Sequence, residues 1–166
     1  MQHIYSLRFL AGPHRVGGTV ARLTDLSEAH RLGQQRHSAL QPLLGEWEAL
    51  GESPMGPMRC IRRFDSVLSD SYIQLSARWQ FGKQEAASGW AGDGGYREHA
   101  IFGVGSEGTV RFWSFTSDGK RSEGVFTDVS ELHPEAIGFE AKMPAGLARQ
   151  AYWPTDDGGV KWVVES

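Results

Sequence analysis

From Glu46 onward, apolar and polar residues alternate with a period of two. The clearest run is Tyr72–Phe81. There Ile73, Leu75, Ala77, Trp79 and Phe81 share one parity, and Tyr72, Gln74, Ser76, Arg78 and Gln80 share the other. Successive side chains of an extended chain point to opposite faces, so this run predicts a strand with one face buried. Similar runs predict strands at Glu46–Glu52, Met58–Phe64, Tyr96–Val104, Thr109–Thr116, Arg121–Val129, Glu135–Met143, Leu147–Trp153 and Gly159–Glu165. Their connectors, Gly105–Gly108, Ser117–Lys120, Pro144–Gly146 and Thr155–Gly158, are short and made of turn residues. Such connectors join antiparallel neighbours, because a parallel crossover needs about a dozen residues. Longer ones are expected at Gly82–Gly95 and Ser130–Pro134. The expectation is a mainly β fold: an antiparallel up-and-down barrel of about nine to ten strands, closed because closure removes exposed edges.

Ahead of Glu46 the period lengthens. Asp25 and Glu28 are spaced as a capping box, and Leu26, Ala29, Leu32 and Leu40 recur near helical spacing until Pro42. One N-terminal helix is therefore expected. His30 and His37 share a face of it but have no third ligand nearby, so they read as solvated rather than metal-binding. Residues 1–22 hold no sustained period. They have no Lys or Arg before Arg8, and Pro13 and glycines interrupt them, which argues against a signal peptide. They read as a loosely ordered arm, residues 23–166 as one barrel domain including its entry helix, and the cytoplasm as the default location.

Composition narrows the function classes. The 166 residues include 21 Gly, 6 Trp, 4 Tyr and 8 Phe, which suits a turn-rich β protein. A net charge of -3 argues against nucleic acid as the principal partner. The charge is uneven: residues 1–45 carry five basic and two acidic residues, and residues 46–166 carry twelve and eighteen. The lone Cys60 excludes an intramolecular disulfide and any multi-cysteine metal site. No apolar run approaches the roughly 20 residues of a membrane-spanning helix.

Phosphate-binding and nucleophile motifs fail on context. Gly103–Gly108 matches G-x-G-x-x-G, but Thr109-Val110-Arg111-Phe112-Trp113 follows, a strand pattern rather than the helix a dinucleotide needs. Gly92-Asp93-Gly94-Gly95 lacks the lysine and hydroxyl of a P-loop, and no G-x-S-x-G is present.

Hairpin pairing yields a candidate cavity. With four-residue loops at Gly105–Gly108 and Ser117–Lys120, Gly124 falls opposite Trp113 and Phe126 opposite Arg111. One face then gathers Phe102, Trp113, Phe115 and Phe126, with Glu98 and Arg111 as its charges. Taken as the barrel interior, it gives apolar walls from Trp79, Phe102, Trp113, Phe115 and Phe126, and a polar end at Glu98 and Arg111. Glu98 is costly to bury unpaired, and Arg78 and Arg149 are its candidate partners.

Residues His37–Ser53, HSALQPLLGEWEALGES, resemble the entry of lipocalin-like calycin barrels, where a short helix runs into a G-x-W, here Gly45-Glu46-Trp47. The nitrobindin branch is the nearest likeness, and a weaker one continues through Tyr96–Val125. The resemblance implies a small barrel holding a hydrophobic ligand, which in nitrobindins is haem on a C-terminal-strand histidine. Neither Leu147–Trp153 nor Gly159–Glu165 contains a histidine, and His133 lies in a turn sequence, so haem is disfavoured and no cofactor or metal is expected. The leading expectation is a small apolar or amphipathic ligand. The alternatives are a cyclase or isomerase with Glu98 or His99 as acid–base group, and a filled barrel whose surface or N-terminal arm binds protein.

Overall fold

The computed structural model describes residues 2–11, 40–53, 56–68, 70–82, 84–85, 89–90, 95–143 and 146–165. All nine strands expected from the alternation are present, at β2 (Gly45–Ser53), β3 (Gly56–Val67), β4 (Tyr72–Phe81), β7 (Arg97–Val104), β8 (Val110–Thr116), β9 (Arg121–Thr127), β10 (Ile137–Met143), β11 (Gly146–Pro154) and β12 (Val160–Glu165). A two-stranded ribbon, β5 (Gln84–Glu85) and β6 (Gly89–Trp90), sits in the β4–β7 connector.

The nine strands form one curled, antiparallel, up-and-down sheet whose free edges are β2 and β12. An additional strand, β1 (Gln2–Ala11), pairs antiparallel with both edges and closes the barrel. This corrects the reading of residues 1–22 as a loose arm over Gln2–Ala11. Two unpaired edges supply backbone partners that no local period announces. The pairing with β2 is irregular between Phe9 and Ala11, as at a bulge.

The expected N-terminal helix falls mostly on residues outside the described ones. Among the described residues there is no α-helix, only a 3₁₀ turn at Gln41–Leu43 with Pro42 in its first turn. That turn brings buried Leu40 and Leu43 under the barrel. Trp47 Nε1 donates to the Leu43 carbonyl at 2.6 Å, tying the turn to β2.

Three tight hairpins share one device. In Gly105–Thr109, Thr116–Lys120 and Thr155–Gly159, the first residue's N–H donates to the fifth residue's carbonyl at 2.8, 3.0 and 3.0 Å. The fourth residue is Gly108, Gly119 or Gly158, at φ 76°, 80° and 79°. A left-handed residue after a tight turn is the bulged-loop solution, and glycine adopts it without a Cβ clash. Each loop is therefore one residue longer than four. Val104 pairs with Val110, Phe112 with Gly124, and Phe115 with Arg121.

The longer loops overturn one strand's facing. A shift of one residue sends every side chain to the other face. Thus Val110, Phe112 and Ser114 of β8 turn inward, while Arg111, Trp113 and Phe115 turn outward. The second loop's extra residue reverses the parity again, so Phe126 of β9 still belongs to the inner side. The ring accommodated by Gly124 is that of Phe112, not Trp113. A Cβ at Gly124 would lie 2.1 Å from Phe112 Cε1 and 2.6 Å from the Glu140 carbonyl oxygen.

Inside, one half of the barrel is filled. Phe64, Phe102, Phe112, Phe139 and Tyr152 meet ring to ring, with centroid separations from 5.1 Å (Phe102–Phe139) to 6.3 Å (Phe64–Phe102) and several edge-to-face pairs.

Candidate functional site

Toward the opposite end the inward positions carry small side chains. Ser114 and Thr116 on β8, Ser122 on β9, Ala141 on β10 and Ala148 on β11 leave a cavity of about 310 Å³. Its aromatic walls come from Trp79, Tyr96, Phe112, Phe139 and Trp162. Trp79 and Trp162 lie 5.1 Å apart between ring centroids. Glu98 and Gln150 supply interior polar groups, and Lys120, Arg121 and Arg149 stand at the mouth. Lys120 is paired with Asp118, and Arg149 bonds Glu165 and Glu131.

Of the residues expected to bind a ligand, Trp79 and Glu98 line this cavity. Phe102 is fully buried in the aromatic cluster, and Phe126 packs edge-on against Phe139 at 5.9 Å. Arg111, Trp113 and Phe115 are not in the lumen. Arg111 is bonded on the outer face to Glu107 and Glu123, and Phe115 is 57% exposed. The one-residue longer loop is the physical reason for all three corrections.

The fully buried charge inside the barrel lies on a strand outside the β7–β9 hairpins. Arg62, on β3, has 0% exposure. Its Nη2 donates to the Tyr152 hydroxyl at 2.6 Å, and its Cζ lies 4.0 Å from the centroid of a Trp162 ring. Tyr152 in turn donates to Gln150 Oε1 at 3.1 Å. Arg62 Nη1 and Glu98 Oε2 are 4.0 Å apart, an ion pair too long to be a hydrogen bond. Glu98 Oε1 accepts from Ser114 Oγ at 2.7 Å. The result is a polar chain, Gln150–Tyr152–Arg62–Glu98–Ser114, between the aromatic cluster and the cavity.

Among the described residues, Arg62 Nε and Nη1 have no oxygen or nitrogen acceptor, and the guanidinium has the Cys60 thiol as its further partner. The Cys60 thiol beside them is a weak acceptor at best. Burial opposes the guanidinium's charge, but Tyr152, Glu98 and Cys60 outweigh it and hold the group above its ordinary range. Burial pushes the Cys60 thiol up to about 11, against the opposing pull of Arg62. Burial also raises the Tyr152 hydroxyl, which stays neutral.

Arg62 was legible in principle. In Met58-Arg59-Cys60-Ile61-Arg62-Arg63-Phe64 it shares parity with Met58, Cys60 and Phe64, a charge on an otherwise apolar face. The expected partners of Glu98 are elsewhere. Arg78 is exposed on the outer face, and Arg149 stands at the mouth with its own carboxylates. His99 is exposed opposite Phe115, on the face away from Glu98. His133 stacks on Trp153 at 5.8 Å, and its Nδ1 accepts the Glu135 N–H at 3.2 Å. Neither imidazole is in the lumen. Among the described residues no cluster of three or more His, Cys, Asp or Glu is placed to hold a metal ion, and no helix is long and apolar enough to cross a membrane.

No family model, curated protein or solved structure matches this chain, so the site is read on its own geometry.

Proposed function

We propose that this protein binds a small, largely apolar molecule in the open half of its barrel. The observation that carries the reading is the asymmetry of the interior. Five large rings fill one half, whereas the other half keeps about 310 Å³ between aromatic walls with a polar floor. That volume falls at the small end of ordinary ligand sites, and apolar walls with a few convergent polar groups are their usual lining. A lipocalin-like barrel is the architecture this function suits. The Trp47 bond to Leu43, which anchors the buried 3₁₀ turn, supports that likeness. A single buried thiol suits the cytoplasm.

The test is a thermal-shift and native mass-spectrometry screen of apolar metabolites, on the wild-type chain and on Ala148→Phe. A stabilising hit that Ala148→Phe abolishes, with the variant still folded, supports the reading. Hits that bind both proteins equally place binding outside the cavity and sink it. Trp113→Ala is the control: its ring is outside the barrel, so the response to a hit stays as in wild type.

A further inference from the structure

The hydrogen bonds behind the cavity run in one direction, and that direction decides what the floor offers a ligand. An arginine only donates, so the Tyr152 hydroxyl accepts from Arg62 Nη2 at 2.6 Å. Its single proton then goes to Gln150, whose Oε1 accepts it at 3.1 Å. The Gln150 amide is thereby held one way round, with Oε1 toward Tyr152 and the two Nε2 protons turned away from it. On β11 Gln150 shares parity with Ala148 and Tyr152, and in the sheet it stands between Phe139 and Val164. Ala148, Phe139 and Val164 line the cavity with it. Among the described residues nothing accepts from Nε2, and the atom is not sealed from the lumen. An amide donor set among apolar walls gains most from an acceptor that arrives with the ligand.

The charges nearby decide what kind of acceptor fits. Glu98 is the carboxylate on the cavity wall, with Ser114 donating to its Oε1. Arg62 is fully buried, does not line the cavity, and has Glu98 as its counter-charge. A ligand carboxylate at Gln150 would therefore share the floor with Glu98 and find no cation there to meet it. An ammonium carries no lone pair for the amide to reach. An uncharged oxygen supplies the lone pair and brings no charge. We propose that Gln150 is the specificity-determining residue of this cavity. Its Nε2 donates to the neutral oxygen of a ketone, ester or alcohol, whose apolar body lies against Trp79, Phe139 and Trp162. This rests on the reading of the cavity as a ligand site.

The experiment uses the full-length chain with 2-decanone, decane, decanoate and decylammonium as probes. Binding is read by the fluorescence of the cavity tryptophans, and the carbonyl stretch of bound 2-decanone by infrared difference spectroscopy. In the wild type the ketone is expected to bind about tenfold more tightly than either charged probe. Its carbonyl band should lie below the position found in hexane, the mark of an accepted hydrogen bond. Gln150→Met, similar in volume but without the amide, should weaken the ketone about tenfold, leave decane unchanged and return the band to its hexane position. Gln150→Glu keeps the acceptor for Tyr152 and removes the donor, so the preference should pass from the ketone to decylammonium. A wild-type band at the hexane position overturns the assignment, and so does a band that stays low in Gln150→Met. Equal weakening of ketone and decane in that variant overturns it too, while leaving the cavity reading intact. Tightest wild-type binding by decanoate, its head left at the mouth, also overturns it. If neither decane nor the ketone binds, the cavity reading falls and this one with it. Should neither variant fold, the wild-type band and probe order decide.

Discussion

The two halves of this barrel are built from the same alternating strands and differ only in the size of what points inward. Toward the 3₁₀ turn the inward residues are Phe64, Phe102, Phe112, Phe139 and Tyr152, and their rings close the space. Toward the other end Trp79 and Trp162 are joined by Ser114, Ser122, Ala141 and Ala148, whose small side chains leave the space open. Strand pairing is continuous through both halves, so backbone hydrogen bonding does not distinguish them. Side-chain volume does. One half serves as the core that stabilises the sheet, which relieves the other of that role. The polar chain from Gln150 to Ser114 marks the boundary between them.

The comparison is broken most forcefully by removing a ring from the filled half. Phe139→Ala should cost about 3–5 kcal/mol in urea denaturation, since the neighbouring rings of Phe102, Phe112 and Phe126 cannot all collapse onto the void. A loss below about 1 kcal/mol would show that this half is not close-packed.

Next comes the boundary. Arg62→Met leaves Glu98 without its counter-charge and should destabilise by about 3 kcal/mol. The double variant Arg62→Met with Glu98→Gln should recover a large part of that. If the two losses simply add in the double-mutant cycle, the 4.0 Å pair carries no coupling.

A matched pair of enlargements sharpens the contrast directly. Ala49→Leu, at a buried site in the core cluster, should overpack and cost about 1–3 kcal/mol. Ala148→Leu, on the cavity wall, should leave stability unchanged or slightly raised while weakening ligand binding. Equal penalties for both would mean that no usable space exists at Ala148.

Smaller effects follow from titration and from the outer face. The Cys60 thiol is raised from its ordinary 9.0 to about 11 in the folded chain. The unfolded chain therefore loses this proton first as pH rises. The stability linked to it is intact below pH 9 and drains away on the way to about 11. Tyr152, also raised, acts in the same direction at higher pH. Cys60→Ala should flatten the first part of that decline in urea titrations from pH 8 to 11. Least of all, Phe115→Ser should shift stability by no more than about 0.5 kcal/mol, because its ring is 57% exposed. A larger loss would point to a partner surface on that face.

Sequence pattern located the strands well because alternation is a local property: each strand reports its own period, and Tyr72–Phe81 was legible to the residue. Facing was less secure. It depends on loop length, and the bulged loops hide an extra residue behind a glycine at φ 76° or 80°. One hidden residue put Arg111, Trp113 and Phe115 on the wrong side, and a second restored Phe126. Trp79 and Glu98 survived because their parity comes from their own strands. Arg62 keeps phase with Met58, Cys60 and Phe64, which marks it as inward, but its partners Tyr152 and Glu98 come from other strands that hairpin pairing does not relate to β3.

What the chain determined by itself was a set of amphipathic strands, short antiparallel turns and the glycines those turns need. Only the tertiary structure decided that Gln2–Ala11 closes the barrel, that Arg62 meets Tyr152 and Glu98, and where the interior stays empty. The physical reason is one of range. Period and turn chemistry act between neighbours along the chain, whereas closure, ion pairing and free volume are sums over strands from both ends of the sequence.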